Sequence, residues 1–556
     1  MRCACCLLIC LLAGCGGGFQ EIDQRVDAIM AQTSSGMNSK QPTLRSQDAG
    51  LPTDSIADPT PQTVNPTVDT LEYISSDEFD VERVAKMLDR AAEEQEASSE
   101  VLTMQDALLW AESHAREMRF AEYDYLSSTL SLLGELHLWG PRFFNTINTD
   151  ISADSTDGLY DTSLTVVNDF SVTRQLQDGG TVSAGVLTSV ARSIHTASTS
   201  DESSSTSFDV SLEVPLLKGS GAVARESLIQ ARRNIVYAAR TFERFRREFY
   251  REIVGDYLGL VVQKKSLENA QRGVDSLRQL AIRQAALYSA GRTRFYDSAD
   301  AENQALGAVA NLSQSWERYR LSLDRFKIRI GWPVENQVQV EASPIGLLPP
   351  VVDANQSIRD ALLYRLDLQN ERDRVEDTRR DVINSLDSLL PDVTFTASAT
   401  MESETDKPAK FGGKDVDYLA GLSVSLPLDR EIERIAVRTQ QIVLEKARRN
   451  YRESRDNVAV AVRSAMRNIE VFQFSLDLQE RNVQIAQVGL DSINADPDRV
   501  SVLDQTRAIS DLQSAKDARD SASKDLELSI VDYLLQAGQL RIDSNGGLLL
   551  PSANLE

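Results

Sequence analysis

Phe208-Asp-Val-Ser-Leu-Glu-Val-Pro215-Leu216 alternates apolar with polar residues and stops on a Pro-Leu step, and Leu422-Ser-Val-Ser-Leu-Pro427-Leu428 does the same 212 residues later. Both runs then give way to a helical period. After Pro215 no proline occurs until Pro333, and after Pro427 none until Pro497, although the chain has 16 prolines. Proline is excluded where helix interiors must stay unbroken. Pro215 and Pro427 therefore mark two strand-to-helix junctions.

Downstream of the first junction Leu228, Ala231, Ile235, Ala238, Phe242, Phe245 and Phe249, then Leu267, Ala270, Val274, Leu277 and Ala281, recur three and four residues apart. The second copy runs Val458, Val462, Ala465, Ile469, Phe472 and Leu476, then Val483, Ala486, Leu490 and Ile493. These are coiled-coil seams. Helices over about 221–290 and 431–494 would each be roughly 100 Å long at ~1.5 Å per residue. Further helical stretches over 301–330 and 503–535 make each a helical hairpin. Thr103-Met-Gln-Asp106-Ala-Leu-Leu-Trp110 matches Ser357-Ile-Arg-Asp360-Ala-Leu-Leu-Tyr364, and both read as N-capped helix starts. Each half is thus helix, strands, very long helix, turn, helix: an internal duplication.

In Val393 to Met401, Val393, Phe395, Ala397, Ala399 and Met401 face one way, and Thr394, Thr396, Ser398 and Thr400 the other. Two readings are open: a small soluble sheet with one face on a core, or transmembrane strands between lipid and water. A hairpin per half gives four crossings, too few to close a barrel, and open edges are not tolerated in lipid. A spanning barrel must be shared between chains. The first half offers three runs, Tyr160–Val172, Val182–Ile194 and Phe208–Leu216. An odd number of crossings would strand the helices on opposite sides, so one run, the first, is expected to pair outside the bilayer. Asp178-Gly179-Gly180 is its expected turn and 198–207 an outer loop.

All five cysteines lie within the first fifteen residues, which excludes a disulfide framework for the rest. Arg2 followed by Leu7, Leu8, Ile9, Leu11 and Leu12 reads as a short secretory signal. Leu12-Ala13-Gly14-Cys15 resembles the bacterial lipobox, in which the cysteine is lipidated; an ordinary signal peptide cut near Gly14 is the other reading. Acyl chains such as palmitate on Cys15 would anchor the chain to outer-membrane lipid. The expected organisation is 1–14 lipoprotein signal, 15–70 disordered tether, 71–331 first repeat, 332–354 linker, 355–540 second repeat and 541–556 tail.

With 83 acidic against 59 basic residues, a net charge of −24 argues against a nucleic-acid partner. His114, His137 and His195 have no metal-site spacing, and no phosphate loop, dinucleotide fingerprint or serine elbow occurs. No enzyme and no cofactor is expected.

Over roughly residues 100–540 the chain resembles the TolC-like outer-membrane factors, also called outer membrane efflux proteins. The resemblance rests on the Asp-Ala-Leu-Leu helix starts, on Val214-Pro215-Leu216-Leu217-Lys218-Gly219 and Leu426-Pro427-Leu428-Asp429-Arg430 at the junctions, and on Gly291-Arg-Thr-Arg294-Phe-Tyr-Asp297 at a helix turn. It implies a mainly α fold with membrane β: a long α-helical coiled-coil tunnel plus a β-barrel shared between chains. It further implies a homotrimer giving four strands per chain to a twelve-strand barrel, with a periplasmic adaptor (membrane fusion protein) and an inner-membrane transporter as partners. The role implied is the outer-membrane channel of a tripartite efflux pump or type I secretion system. The family's tips carry aspartate rings, which Asp297, Asp300 and Asp504 would supply as a cation-attracting gate. Gly291 would shape the turn, and Arg294 and Arg499 would form links that hold the tips shut. The second tip departs from the pattern, with Ala495 in place of glycine and Ser501 in place of aspartate. The rival reading is a lipid-anchored periplasmic coiled-coil tether or adaptor without a pore.

Overall fold

The computed structural model describes residues 19–34, 100–156, 159–195, 202–341, 353–404, 407–408, 410–495, 500–542 and 548–549. Two compact units divide them. The first contains a six-stranded sheet with the helix segments next to it in sequence; the second contains most of the helical hairpins.

The sheet is antiparallel throughout. Its order is β2 (Arg142–Thr156), β3 (Leu159–Gln175), β4 (Thr181–His195), β5 (Glu202–Pro215), β7 (Asp392–Ser403) and β8 (Phe411–Ser425). Register lines up one chemistry on each side. Phe143 pairs with Val172, Val172 with Ala184, Ala184 with Val210, Val210 with Ala399 and Ala399 with Tyr418. On this side Phe143, Ile147, Ile151, Phe170, Val186, Phe208, Phe395 and Leu422 follow the same alternation, broken by Asn145, Asn168 and Thr188. The other side carries Ser183 hydrogen-bonded to Ser211 at 2.6 Å and Ser152 to Ser163 at 2.8 Å, with Asp150, Asp169, Asp209, Glu213, Asp392, Glu402 and Asp417. The apolar side is exposed in this chain: Ile151 70 %, Tyr418 80 %, Leu422 60 %.

The row of directly paired residues Arg142, Thr173, Ser183, Ser211, Ser398 and Leu419 crosses the whole sheet. It leaves β2 at its first residue and meets β8 six residues before its last, Ser425. That climb, about 1.2 residues per strand, at ~3.3 Å per residue and ~4.8 Å between strands, corresponds to a tilt of about 40°, the value that closed barrels need.

The expectation of four strands per chain is corrected here. Arg142–Thr156 is a strand, so the first repeat supplies four and the parity problem vanishes without a run outside the sheet. Tyr160–Val172 lies within β3, in the sheet, and Glu202 to Ser207 are strand rather than loop. Asp178-Gly179-Gly180 does form the β3–β4 turn: Gly179 has φ +93°, and a Cβ there would lie 2.6 Å from the Gly219 carbonyl oxygen.

The helices follow the seams. α1 is Phe19–Ser34, α2 Met104–His114, α3 Arg116–Leu138, α4 Glu226–Ser289, α5 Phe295–Ile330, α6 Ala354–Tyr364, α7 Leu366–Asp387, α8 Glu431–Ala495 and α9 Val502–Gln536. Ile235, Phe242, Phe249, Leu267 and Val274 of α4 are buried, as are Val458, Val462, Ala465 and Ile469 of α8. α1 corrects the expected tether over 15–70. Its Val26 and Met30 have no exposed surface, and Thr33 meets the Tyr125 hydroxyl.

The helix pairs α2–α3 and α6–α7 each begin with eleven residues and break at an extended residue, Ala115 (ψ 133°) and Arg365 (ψ 120°). Thr103 caps α2 as expected: its Oγ1 accepts from the Asp106 N–H at 3.1 Å and donates to Asp106 Oδ2 at 2.6 Å. Ser357 does not cap α6. That cap is Asp353, and Ser357 sits one turn inside, bonded to the Tyr533 hydroxyl at 2.9 Å. Measured from the two breaks, the matching letters Asp-Ala-Leu-Leu are one turn out of register.

Short pairings and buried charge tie the second unit together. β1 (Glu100–Leu102) pairs in parallel with β6 (Val338–Val340), which lies in the expected linker, and the Tyr257 hydroxyl lies 3.0 Å from the Leu102 carbonyl. In the expected tail, β9 (Arg541–Ile542) pairs with β10 (Leu548–Leu549). Gly331 ends α5 at φ +76°, where a Cβ would stand 2.5 Å from the His114 carbonyl oxygen. Arg246, 1 % exposed, holds Glu112 of α2 at 2.7 Å and Glu243 at 3.5 Å. Removing one partner of a buried pair leaves a charge without compensation. Glu112→Ala is therefore expected to cost about 3 kcal/mol, and Glu112→Gln clearly less, read as lowered Tm in thermal melts.

Candidate functional site: the junctions, the tips and a second helix stripe

At the first junction the chain leaves β5 at Pro215 with the Leu216 N–H bonded to the Val393 carbonyl at 2.7 Å. Gly219 (φ +75°) and Gly221 (φ +65°) then turn it into α4, and the Gly219 N–H is held by Asp387 at 2.7 Å. Asp387 is the last residue of α7. The second junction uses other chemistry. After Pro427 the Arg430 guanidinium donates to the carbonyls of Pro427 and Leu389, both at 2.9 Å, and Asp429 accepts from the Glu431 N–H at the start of α8. Both junctions are thus tied to the 387–393 connection between α7 and β7.

A polar ladder locks the first turns of α4 to α7. Arg380 meets Glu226 and Asp377 at 2.9 Å each, and Arg233 is paired with Asp377. The Tyr237 hydroxyl donates to Asp377 at 2.6 Å. Burial, and then this bond to a carboxylate, push the Tyr237 phenol up to about 12. Burial and the Glu226 carboxylate hold Asp381 above the ordinary carboxylate range.

At the first helix turn Gly291 has φ +69°, in the left-handed region that favours glycine. Arg294 is the N-cap of α5 without a side-chain cap, and among the described residues it makes no ion pair. Asp297 sits three residues on, reached by the Thr293 hydroxyl at 3.4 Å, and Asp300 lies one turn deeper. At the second turn Ser501 caps α9, accepting from the Asp504 N–H at 3.1 Å and donating to its carboxylate at 2.7 Å. Asp297 and Asp504 hold the same position relative to their caps, so Asp504, and not Ser501, is the counterpart of Asp297. Both acids complement the positive end of a helix; Asp300 has no such local use. Beneath the turns Val502 packs with Leu280 and Ala301 in one small core. Arg499 and Cys15 lie outside the described residues.

The seam reading missed a second stripe on α8. Val460, Val471, Phe474, Leu478, Ile485 and Val488, on the face away from Val458 and Val462, are between 46 % and 71 % exposed. From Val471 onward they recur at three, four and seven residues, the spacing of another coiled-coil seam. The chain satisfies one face of this helix and leaves the other unpartnered.

Among the described residues no helix is long and apolar enough to cross a membrane, and no metal-binding group of histidine, cysteine or acid side chains forms.

Residues 357–527 match the family model described as outer membrane efflux protein. The fold is similar to that of the Campylobacter jejuni CmeC outer membrane channel: TM-score 0.60, 14 % identity, 78 % of this chain and 85 % of that one. It is similar also to the outer membrane protein VceC of Vibrio cholerae (0.60, 14 %, 78 % and 96 %) and to the open state of the Neisseria gonorrhoeae MtrE outer membrane channel (0.58, 13 %, 79 % and 90 %). No curated protein matches the chain.

The ladder gives a pH test. Because the folded state favours the neutral phenol, the contribution of Tyr237 is intact below pH ~10 and is lost as pH rises through about 12. The 295 nm absorbance difference between wild type and Tyr237→Phe should therefore titrate near pH 12; a midpoint near 10 would mean that the hydroxyl is not held as described.

Proposed function

We propose that this chain, whose residues 357–527 match the outer membrane efflux protein model and whose fold is similar to that of solved outer membrane channels, is a member of that family and works as the outer-membrane duct of a tripartite efflux or type I secretion machine. Cargo delivered by an inner-membrane transporter and a periplasmic adaptor passes through helices in the periplasm and leaves through a barrel in the outer membrane. The step is passive conduction and has no catalytic residues.

One observation carries this reading: a tilted antiparallel sheet, mostly apolar on one side and rich in hydroxyls and acids on the other, continues at two proline-marked junctions into helices of 64 and 65 residues. Lipid suits the first side and an aqueous lumen the second. The acids on the polar side favour cations and repel anions. The exposed stripe on α8 supports assembly into a homotrimer, since an apolar seam of that length needs another helix. A pore-less tether would have no use for a two-faced sheet.

Two finer points belong to the same reading. Cys15 is the lipidated residue, and α1, which begins four residues later and belongs to the same unit as the sheet, would keep the acyl chains close to the barrel. Asp297, Asp300 and Asp504, in three copies, form the acidic constriction at the tips, which Arg294 and Arg499 hold shut between chains. Opening is a relative movement of the hairpins, biased by partner contacts.

The duct predicts a heat-resistant trimer in outer-membrane detergent extracts that conducts ions after reconstitution; a soluble monomer released by Cys15→Ala would point to a tether. In planar bilayers, joint replacement of Asp297, Asp300 and Asp504 by asparagine is expected to lower cation selectivity without abolishing it, because the acids of the sheet remain. Unchanged selectivity would remove the gate assignment.

A further inference from the structure

We infer that the barrel of this protein has eighteen strands, closed by pairing β2 of one copy with β8 of the next. The inference rests on the proposed trimer and concerns what each copy brings to it.

The four strands β4, β5, β7 and β8 flank the two junctions and would by themselves make the expected twelve-strand ring. The hairpin β2–β3, inserted between α3 and β4, changes the count. It is part of the sheet rather than an appendage to it. β3 pairs with β4 from Gln175↔Thr181 to Thr162↔His195, with one irregularity at the far end, so the edge that β4 would need for a neighbour is already taken. Closing a ring through β4 would forfeit that ladder.

The chemistry of the hairpin matches its place. Phe143, Ile147 and Ile151 of β2, with Leu164, Val166, Phe170 and Val172 of β3, extend the apolar side of the sheet, while Asp150, Ser152, Ser163 and Asp169 extend the polar side. The stagger agrees. Along the row from Arg142 to Leu419 the offset from the junction ends of the strands rises as zero, two, two, four, six and six residues, so β2 and β3 share the tilt of the other four. An accessory ribbon would be under no such constraint.

The remaining edges are therefore β2 and β8, both long, with Ile147 54 % and Val424 54 % exposed. Unpaired backbone groups along either are not tolerated in hydrocarbon. The one occupant that pairs both at once, in antiparallel sense and with the apolar sides aligned, is a second copy of this chain. Three copies give eighteen strands, and since diameter grows roughly in proportion to strand number, a lumen about half as wide again as that of a twelve-strand ring.

Continuing the same stagger across the seam sets Asn148 of β2 opposite Leu419 or Gly421 of the neighbouring β8, all on the polar side. Within one chain Asn148 and Leu419 lie on opposite edges of the sheet, and no cysteine occurs after Cys15. Full-length Asn148→Cys/Leu419→Cys and Asn148→Cys/Gly421→Cys, oxidised in outer membranes, are expected to give covalent dimers and trimers on denaturing gels, whereas Ser189→Cys/Leu419→Cys gives none. Linking through Ser189→Cys but not Asn148→Cys would overturn the eighteen-strand ring and leave the shared barrel standing as a twelve-strand one. No link from either, with all variants present in the outer membrane, would overturn the shared barrel itself.

Discussion

For a sheet proposed to sit in the outer membrane, backbone hydrogen bonding inside hydrocarbon is the constraint from which the rest of the architecture follows. Each strand carries N–H and C=O groups on both flanks, and in a bilayer no water is there to satisfy them. A sheet of six strands satisfies the flanks of four and leaves those of β2 and β8 open. In that setting the single deficit would leave a lone chain incomplete, and the proposed cyclic assembly, in which the same two edges meet at each seam, removes it. The stagger of the strands, the two chemistries of the sheet and the second stripe on α8 all agree with that ring.

The junctions show how two incompatible periods are joined without fraying. A strand must hand its unpaired carbonyls and N–H groups to a helix whose first turn also lacks partners. Here the chain solves the problem twice with different side chains: two left-handed glycines and Asp387 at one junction, Asp429 and Arg430 at the other. What the two share is their anchor, the short connection after α7. The polar ladder of Glu226, Arg233, Tyr237, Asp377 and Arg380 then ties the first turns of α4 to α7. The two junctions thus differ in residues and in turn while sharing one anchor.

Much of this was legible in the chain. The proline-free heptads located both long helices to within a few residues, and the Pro-Leu steps located both junctions. The alternation in Val393 to Met401 gave the right faces. Arg142–Thr156 escaped because its clear apolar residues, Phe143, Ile147 and Ile151, stand four apart, a helical spacing, with Asn145 and Thr149 in the intervening outward positions. The one-turn displacement of the Asp-Ala-Leu-Leu match was equally hidden, since letters do not reveal that Asp353 caps α6 and that Ser357 lies inside the helix, bonded to Tyr533. At the tips, counting from a missing glycine put Ser501 in the place of an acid; the cap geometry, which no spacing rule carries, restores Asp504 to it. The exposed stripe on α8 was visible in principle, but a helix with two seams reads most easily as a helix with one.

Because α8 is apolar on two opposite faces and the sheet is open at both edges, a lone chain is suited neither to water nor to lipid. In the proposed assembly, completion of the ring would come before, or together with, full insertion, and once the last seam closed no single subunit could leave without reopening two edges in hydrocarbon. Finished channels should consequently not trade subunits. In a cell carrying both intact and defective copies, the composition of such a ring would be settled at birth, and a defective chain would disable intact neighbours out of proportion to its abundance. The same feature that would make such a pore durable would make its gene sensitive to dominant interference.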